Sequence, residues 1–227
     1  MIGIFDSGVG GICAYRQVRR MLPYEDIIYL ADRKNAPYGT KTKKEILSFT
    51  KKNIEILKNY GASEILIACC TASTLYPLLS EDERAISTPI ITPTAKLVAK
   101  TGGRIAVIAT EHTVKCRAFS SEIAKFSDAS VVEMAEQELV SLVEGGNRDG
   151  AVTPEGEEYL SLLRERIYKT KARTLILGCT HFSHLEGELS HLLPDIKIVS
   201  PAREGAKEIV KKIIRNNECG KDIYVSP

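Results

Sequence analysis

Short apolar runs alternate with longer amphipathic stretches along this 227-residue chain, and no other feature restricts its fold so strongly. IGIF, DIIYLAD, EILIAC, GGRIAVIAT, VVEMAE, TLILGC and DIKIVS have the length and apolar content of buried strands, and DIYVS near the end is strand-like. Between them lie helical patterns: ICAYRQVRRML ended by Pro23, a helix from about Lys43 to Tyr60 stopping at Gly61, and one begun by TASTLYPLLS. Further on come TVKCRAFSSEIAKF, a helix reaching Glu144, EEYLSLLRERIYK, HLEGELSHLL and REGAKEIVKKIIRNN, with GGNRDG as a loop. Strands separated by helices give parallel α/β architecture with right-handed crossovers.

Two of these strands end alike. EILIACCTAS and TLILGCTHFS are apolar runs closing on a cysteine next to a hydroxyl-bearing residue. The last side chain of a buried strand enters the crevice at the carboxyl edge of its sheet, where ligands bind. The repeat of strand, cysteine and turn argues for two similar lobes delivering one thiol each. Residues 1–93, completed by 202–227, are expected to form the first lobe and 94–201 the second, with the boundary near Thr92 to Thr94.

Charge excludes some partners. A formal charge of +2 gives no reason to expect nucleic acid, and no apolar run approaches the ~20 residues of a membrane span. The chain reads as soluble and cytoplasmic, with a small molecule as partner. Its six cysteines suit catalysis, metal binding or packing better than a disulfide framework. Cys13, Cys116 and Cys219 are assigned to packing, because free cysteine behaves as a small apolar side chain. Cys69 and Cys179 sit at strand-to-turn junctions, where a helix N-terminal field is expected to lower a thiol pKa.

Two other readings accompany this one. Cys69, Cys70, Cys179 and His181 supply four metal-ligand types, but without C-x-x-C or H-x-x-x-H spacing. DSGVGG lies between a strand and a helix, so it is either an anion-receiving turn or a tight turn that needs glycine; Cys13 occupies the third position of G-x-G-x-x-G. His112, His184 and His191 read as loop or helix-surface residues.

DSGVGG at 6–11, NAPYG at 35–39, ACCTAS at 68–73 and LGCTHF at 177–182 together resemble the glutamate racemases of the aspartate/glutamate racemase superfamily, in order over nearly the whole chain. The Asp-Ser start favours the glutamate branch. The resemblance implies two pseudo-symmetric lobes, each with a mainly parallel sheet flanked by helices, and an active site between them. It implies racemisation without pyridoxal phosphate or any other cofactor, supplying D-glutamate for peptidoglycan, and a homodimer. By position Cys69 and Cys179 are the acid/base pair. Asp6, Ser7, Tyr38, Gly39, Cys70, Thr71, Thr180 and His181 fall where the family holds substrate, with Asp32, Thr110, Thr113 and Glu144 on supporting stretches.

Inversion at Cα fits two thiols, since one face needs a base and the other an acid. Fixed donors such as turn N–H groups and the hydroxyls of Ser7, Thr71 and Thr180 suit the developing negative charge. The chain departs from the family where Ala-Cys-Asn-Thr becomes Ala68, Cys69, Cys70, Thr71, a thiol replacing a substrate-binding amide. Matching the chain's own Cys-Thr pairs aligns Cys70 with Cys179, whereas matching the family's flanking residues selects Cys69. A further helix would be expected beyond DIYVSP in this family. Alternative functions are a racemase for aspartate or another acidic amino acid, and a non-enzymatic regulatory or binding homologue with an impaired site.

Overall fold

The computed structural model describes residues 1–145, 154–213 and 220–226. Cys219 and most of the GGNRDG loop lie outside the described residues. Among the described residues nine strands form two sheets, every neighbouring pair parallel. The first contains β1 (Ile2–Asp6), β2 (Ile27–Ala31), β3 (Glu64–Ile67), β4 (Ser87–Pro89) and β9 (Asp222–Val225), in the order β4-β3-β1-β2-β9. The second contains β5 (Arg104–Ala109), β6 (Ser130–Ala135), β7 (Thr174–Gly178) and β8 (Lys197–Val199), in the order β6-β5-β7-β8.

The helices follow the sequence pattern with instructive exceptions. α1 (Ile12–Met21) and α2 (Lys43–Asn59) occupy the expected stretches. Thr42 caps α2 by accepting from the Glu45 N–H at 3.3 Å, while the Glu45 carboxylate accepts from the Thr42 N–H at 2.9 Å. TASTLYPLLS yields only α3 (Cys70–Ser73) and a 3₁₀ turn at Tyr76–Leu78, because Pro77 interrupts a continuous helix. α4 (Glu81–Ala85) leads into β4, a three-residue strand whose proline and shortness hide it from periodicity. Thr92 to Thr94, read as a boundary, lie inside α5 (Ile91–Ala99).

The remaining helices are α6 (Glu111–Lys115), α7 (Ala118–Ile123), α8 (Gln137–Gly145), α9 (Pro154–Lys169), α10 (Glu186–Leu192) and α11 (Pro201–Val210). TVKCRAFSSEIAKF is broken into two, with Arg117 in the left-handed region at φ 49° between α6 and α7.

Strands β1, β2 and β7 are buried along their whole length, as parallel strands covered on both faces must be. One core joins the sheets: Ile4, Tyr29 and Leu66 of the first pack with Val107 and Ile176 of the second through Val18 of α1, Ala95 and Val98 of α5, and Ala206 of α11. Separate apolar layers cover the outer faces, one with Ile46, Ile54 and Leu57 of α2, the other with Leu160, Leu163 and Ile167 of α9.

Register brings the carboxyl ends of the strands level. Asp6 pairs with Ala31 and Phe5 with Ile67, so Ser7, Asp32 and Cys69 all emerge at one edge of the first sheet. Ala109 pairs with both Ala135 and Gly178, so Thr110, Glu136 and Cys179 are the next residues out at the edge of the second.

Close packing at α11 supplies a test. A Cβ on Gly205 would stand 2.3 Å from Ile90 Cγ2 and 3.1 Å from Ile90 Cβ. Gly205→Ala is expected to lower unfolding free energy by about 1–3 kcal/mol. Urea titration checks it, and a midpoint equal to that of the unaltered chain would show that the helix shifts freely.

Candidate active site

The two sheet edges enclose a cavity of about 20 Å³, room for one water molecule. Ser7, Tyr38, Gly39, Cys69, Cys70 and Thr71 line it from the first half of the chain, and Thr110, Gln137, Val140, Cys179, Thr180 and His181 from the second. A larger groove of about 600 Å³ runs past Thr74, Arg84, Cys116 and Lys125, but Cys116 is its one lining thiol. The smaller cavity brings Cys69, Cys70 and Cys179 together.

Cys69 precedes α3 and is buried, its Sγ accepting from the Ala72 N–H at 3.5 Å and lying 3.7 Å from Ser7 Oγ. Cys179 follows β7, also buried, with Sγ 3.7 Å from His181 Nδ1. Burial drives the Cys69 thiol up to about 12, with Asp6 adding to the rise and the Ala72 N–H and Ser7 opposing it. Burial also raises Cys179, against hydrogen bonds from the His181 and Phe182 backbone. Cys70, first residue of α3, is raised by burial and then by its proximity to Cys179 and Cys69. The expectation that helix fields lower these thiols is therefore overturned. α3 is four residues long, and so short a helix cannot offset the loss of solvent around a buried thiolate.

Around the thiols the polar side chains form small networks. Thr71 Oγ1 lies 3.1 Å from Thr110 Oγ1, which lies 3.0 Å from Thr113 Oγ1, so Thr113 supports the cavity wall from behind. Tyr38 donates its hydroxyl to Asp32 at 2.5 Å and accepts from Asn53 at 3.0 Å, leaving its ring and backbone for the cavity. Asp32 is thus a support for Tyr38, further held by Asn35.

Asp6 does not line the cavity. Its fully buried carboxylate accepts from the Gly8 N–H and from Thr180 Oγ1, each at 3.0 Å, and so links β1 to the residue that follows Cys179. The glycines of DSGVGG serve close approach: a Cβ on Gly10 would lie 2.7 Å from Thr180 Oγ1, and one on Gly11 2.5 Å from Asp6 Cβ. Glu144 falls at the end of α8, and its side chain lies outside the described residues.

Gln137 and Val140 line the cavity although the sequence motifs do not point to them. The available signal was position alone, since Gln137 is the second residue past the end of β6. Packing assignments also need one correction. Cys13 is partly buried against the core, but Cys116 is exposed, with Sγ 3.5 Å from His112 Nε2, because α6 ends just before it and turns the chain outward. His112 is partly buried and that burial lowers it, while His184 is exposed. Among the described residues no three His, Cys, Asp or Glu side chains are grouped as metal ligands, and no helix is long and apolar enough to cross a membrane.

Residues 13–209 match the family model described as Asp/Glu/Hydantoin racemase. The chain belongs to this family. Family membership makes it an isomerase of the racemase class. A glutamate racemase of Persephonella marina is 35% identical over 224 residues, covering 97% of this chain and 85% of the relative. The glutamate racemase isoform RacE1 of Bacillus anthracis superposes with a TM-score of 0.83 at 30% identity, covering 99% of this chain and 87% of that one. The Francisella tularensis glutamate racemase, solved in complex with D-glutamate, gives 0.84 at 26% identity, covering 100% and 88%.

Thiols held protonated by burial make a stability test. Between the ordinary cysteine value of 9.0 and about 12, folded Cys69 keeps a proton that the unfolded chain has lost. The folded state binds more protons there, so stability falls as pH rises. Cys69→Ser is expected to flatten the decline in urea midpoint across about pH 9 to 11. An unchanged slope would show that Cys69 titrates normally in the folded chain.

Proposed function

We propose that the chain is a cofactor-independent glutamate racemase in which Cys69 and Cys179 act as the acid/base pair. One observation carries this reading: two buried thiols, brought from the carboxyl ends of strands in different sheets, line one narrow cavity. The names of the relatives support glutamate as substrate. The product D-glutamate is proposed to supply peptidoglycan synthesis in the cytoplasm.

The proposed reaction balances without an external reagent. A thiolate at one cysteine takes the α-proton, and the C–H electron pair stays on the substrate, delocalised into its carboxylate. The opposite thiol then gives its proton to the other face of Cα and becomes the thiolate. Each turnover leaves the pair in the mirror protonation state, ready for the other enantiomer. The Ala72 N–H and Ser7 favour thiolate at Cys69, and the backbone at His181 and Phe182 does so at Cys179. The hydroxyls of Thr71 and Thr180 are proposed to orient the substrate. Because the cavity admits one water, amino-acid entry requires the two sheet edges to separate and close again.

Purified protein is expected to interconvert L- and D-glutamate and to exchange Cα hydrogen for deuterium from solvent, faster than it acts on aspartate. Cys69→Ser and Cys179→Ser should each lower kcat by about 10²–10⁴-fold, while Cys70→Ser leaves most of the activity. Loss on changing Cys70 with retention on changing Cys69 would transfer the role to Cys70. Since burial raises both thiols, kcat/KM should climb with pH above neutrality as the first thiolate forms. Folded protein that exchanges no α-proton with any acidic amino acid would reject the reading.

A further inference from the structure

The proposed substrate is an acidic amino acid, yet among the described residues no lysine or arginine lines the cavity. Two carboxylates must therefore be met there by uncharged donors and by whatever His181 supplies. Gln137 brings the only side-chain amide to that lining. Its Oε1 is buried and has no hydrogen-bond partner among the described residues. A buried carbonyl oxygen without a donor is costly in a folded chain, and turning the amide over so that its NH₂ takes that place against a ligand's acceptor removes the cost.

The backbone around Gln137 is firmly placed. The Glu136 N–H donates to the Ala109 carbonyl at 2.9 Å, continuing the β5–β6 pairing one residue past the strand end. The buried Glu136 carboxylate is held by the Arg166 guanidinium at 2.6 Å and by the Tyr159 hydroxyl at 2.5 Å. α8 begins at this anchored point, so Gln137 stands at the same sheet edge as Thr110 and Cys179. Opposite it, Gly39 leaves the space the amide uses: a Cβ there would lie 2.7 Å from Gln137 Oε1. Anchored backbone and an amide oxygen without a partner among the described residues are what a ligand-binding group needs.

We propose that Gln137 is a substrate-binding residue, its amide NH₂ donating to a carboxylate of the bound acidic amino acid. The proposal rests on the reading of this cavity as the racemase site. An amide offers two N–H groups from one atom, and no donor among the described residues pins its oxygen, so it turns to suit the ligand.

Racemisation kinetics of the unaltered chain, Gln137→Leu and the isosteric Gln137→Glu test this, with thermal melts confirming that each variant folds. Gln137→Leu should raise KM for glutamate about tenfold or more with little change in kcat. Gln137→Glu should raise it further, because a carboxylate then faces a carboxylate; a structural role would not order the variants this way. Inhibition by glutamine, which keeps the α-carboxylate but lacks the distal one, identifies the carboxylate held. A loss confined to glutamate indicates the distal group, and an equal loss for both indicates the α-carboxylate. KM within about twofold of the unaltered chain in both variants would overturn the proposal. If the unaltered chain racemises nothing, the reading of the site fails separately, and calorimetric binding of D-glutamate to the same three proteins still decides the role of Gln137.

Discussion

A hydrogen bond from Thr180 to the buried carboxylate of Asp6 ties the carboxyl edge of one sheet to that of the other. Asp6 ends β1, Thr180 follows Cys179, and 174 positions separate them. A carboxylate with no exposure must have its acceptor sites met, and here the Gly8 N–H and the threonine hydroxyl do so. That requirement explains the glycines nearby, because Gly10 and Gly11 leave room for Thr180 and Asp6 to approach the turn. Any displacement of the strand ends strains the bond, so it fixes the wall on which Cys179 and His181 stand.

The same enclosure works against the thiols as bases. Burial favours the protonated form of both, and the opposing donors are backbone N–H groups and Ser7, with no lysine or arginine among the described residues of the lining. A cavity of one-water size and thiols that resist ionisation belong to the same physical state, since excluding solvent produces both. In the proposed reaction, the ammonium group of a bound amino acid would add a positive charge that favours thiolate.

Much of the architecture was legible because buried parallel strands need continuous apolar runs and helices need an amphipathic period. Runs such as IIYLA and TLILG became β2 and β7. β4 was not legible, being three residues that include a proline and pairing only at the sheet margin with β3. Pro77 likewise cut short a helix that composition alone would extend. In the site, motif residues such as Ser7, Tyr38, Cys69, Thr71, Cys179 and Thr180 do share one cavity. Asp6 and Asp32 instead brace neighbours, and Gln137 was invisible because the end of β6 carries no motif.

The sequence by itself determined the alternation of strand and helix, the parallel sheets this entails, and the placement of a thiol at the end of two strands. These are properties of short windows, governed by local periodicity and by turn residues. Only the tertiary structure decided which of those ends meet, that the thiols lie buried and protonated, and that Gln137 joins them. Such facts depend on register between distant strands and on the solvent that their meeting excludes, and neither quantity is carried by any single stretch of chain.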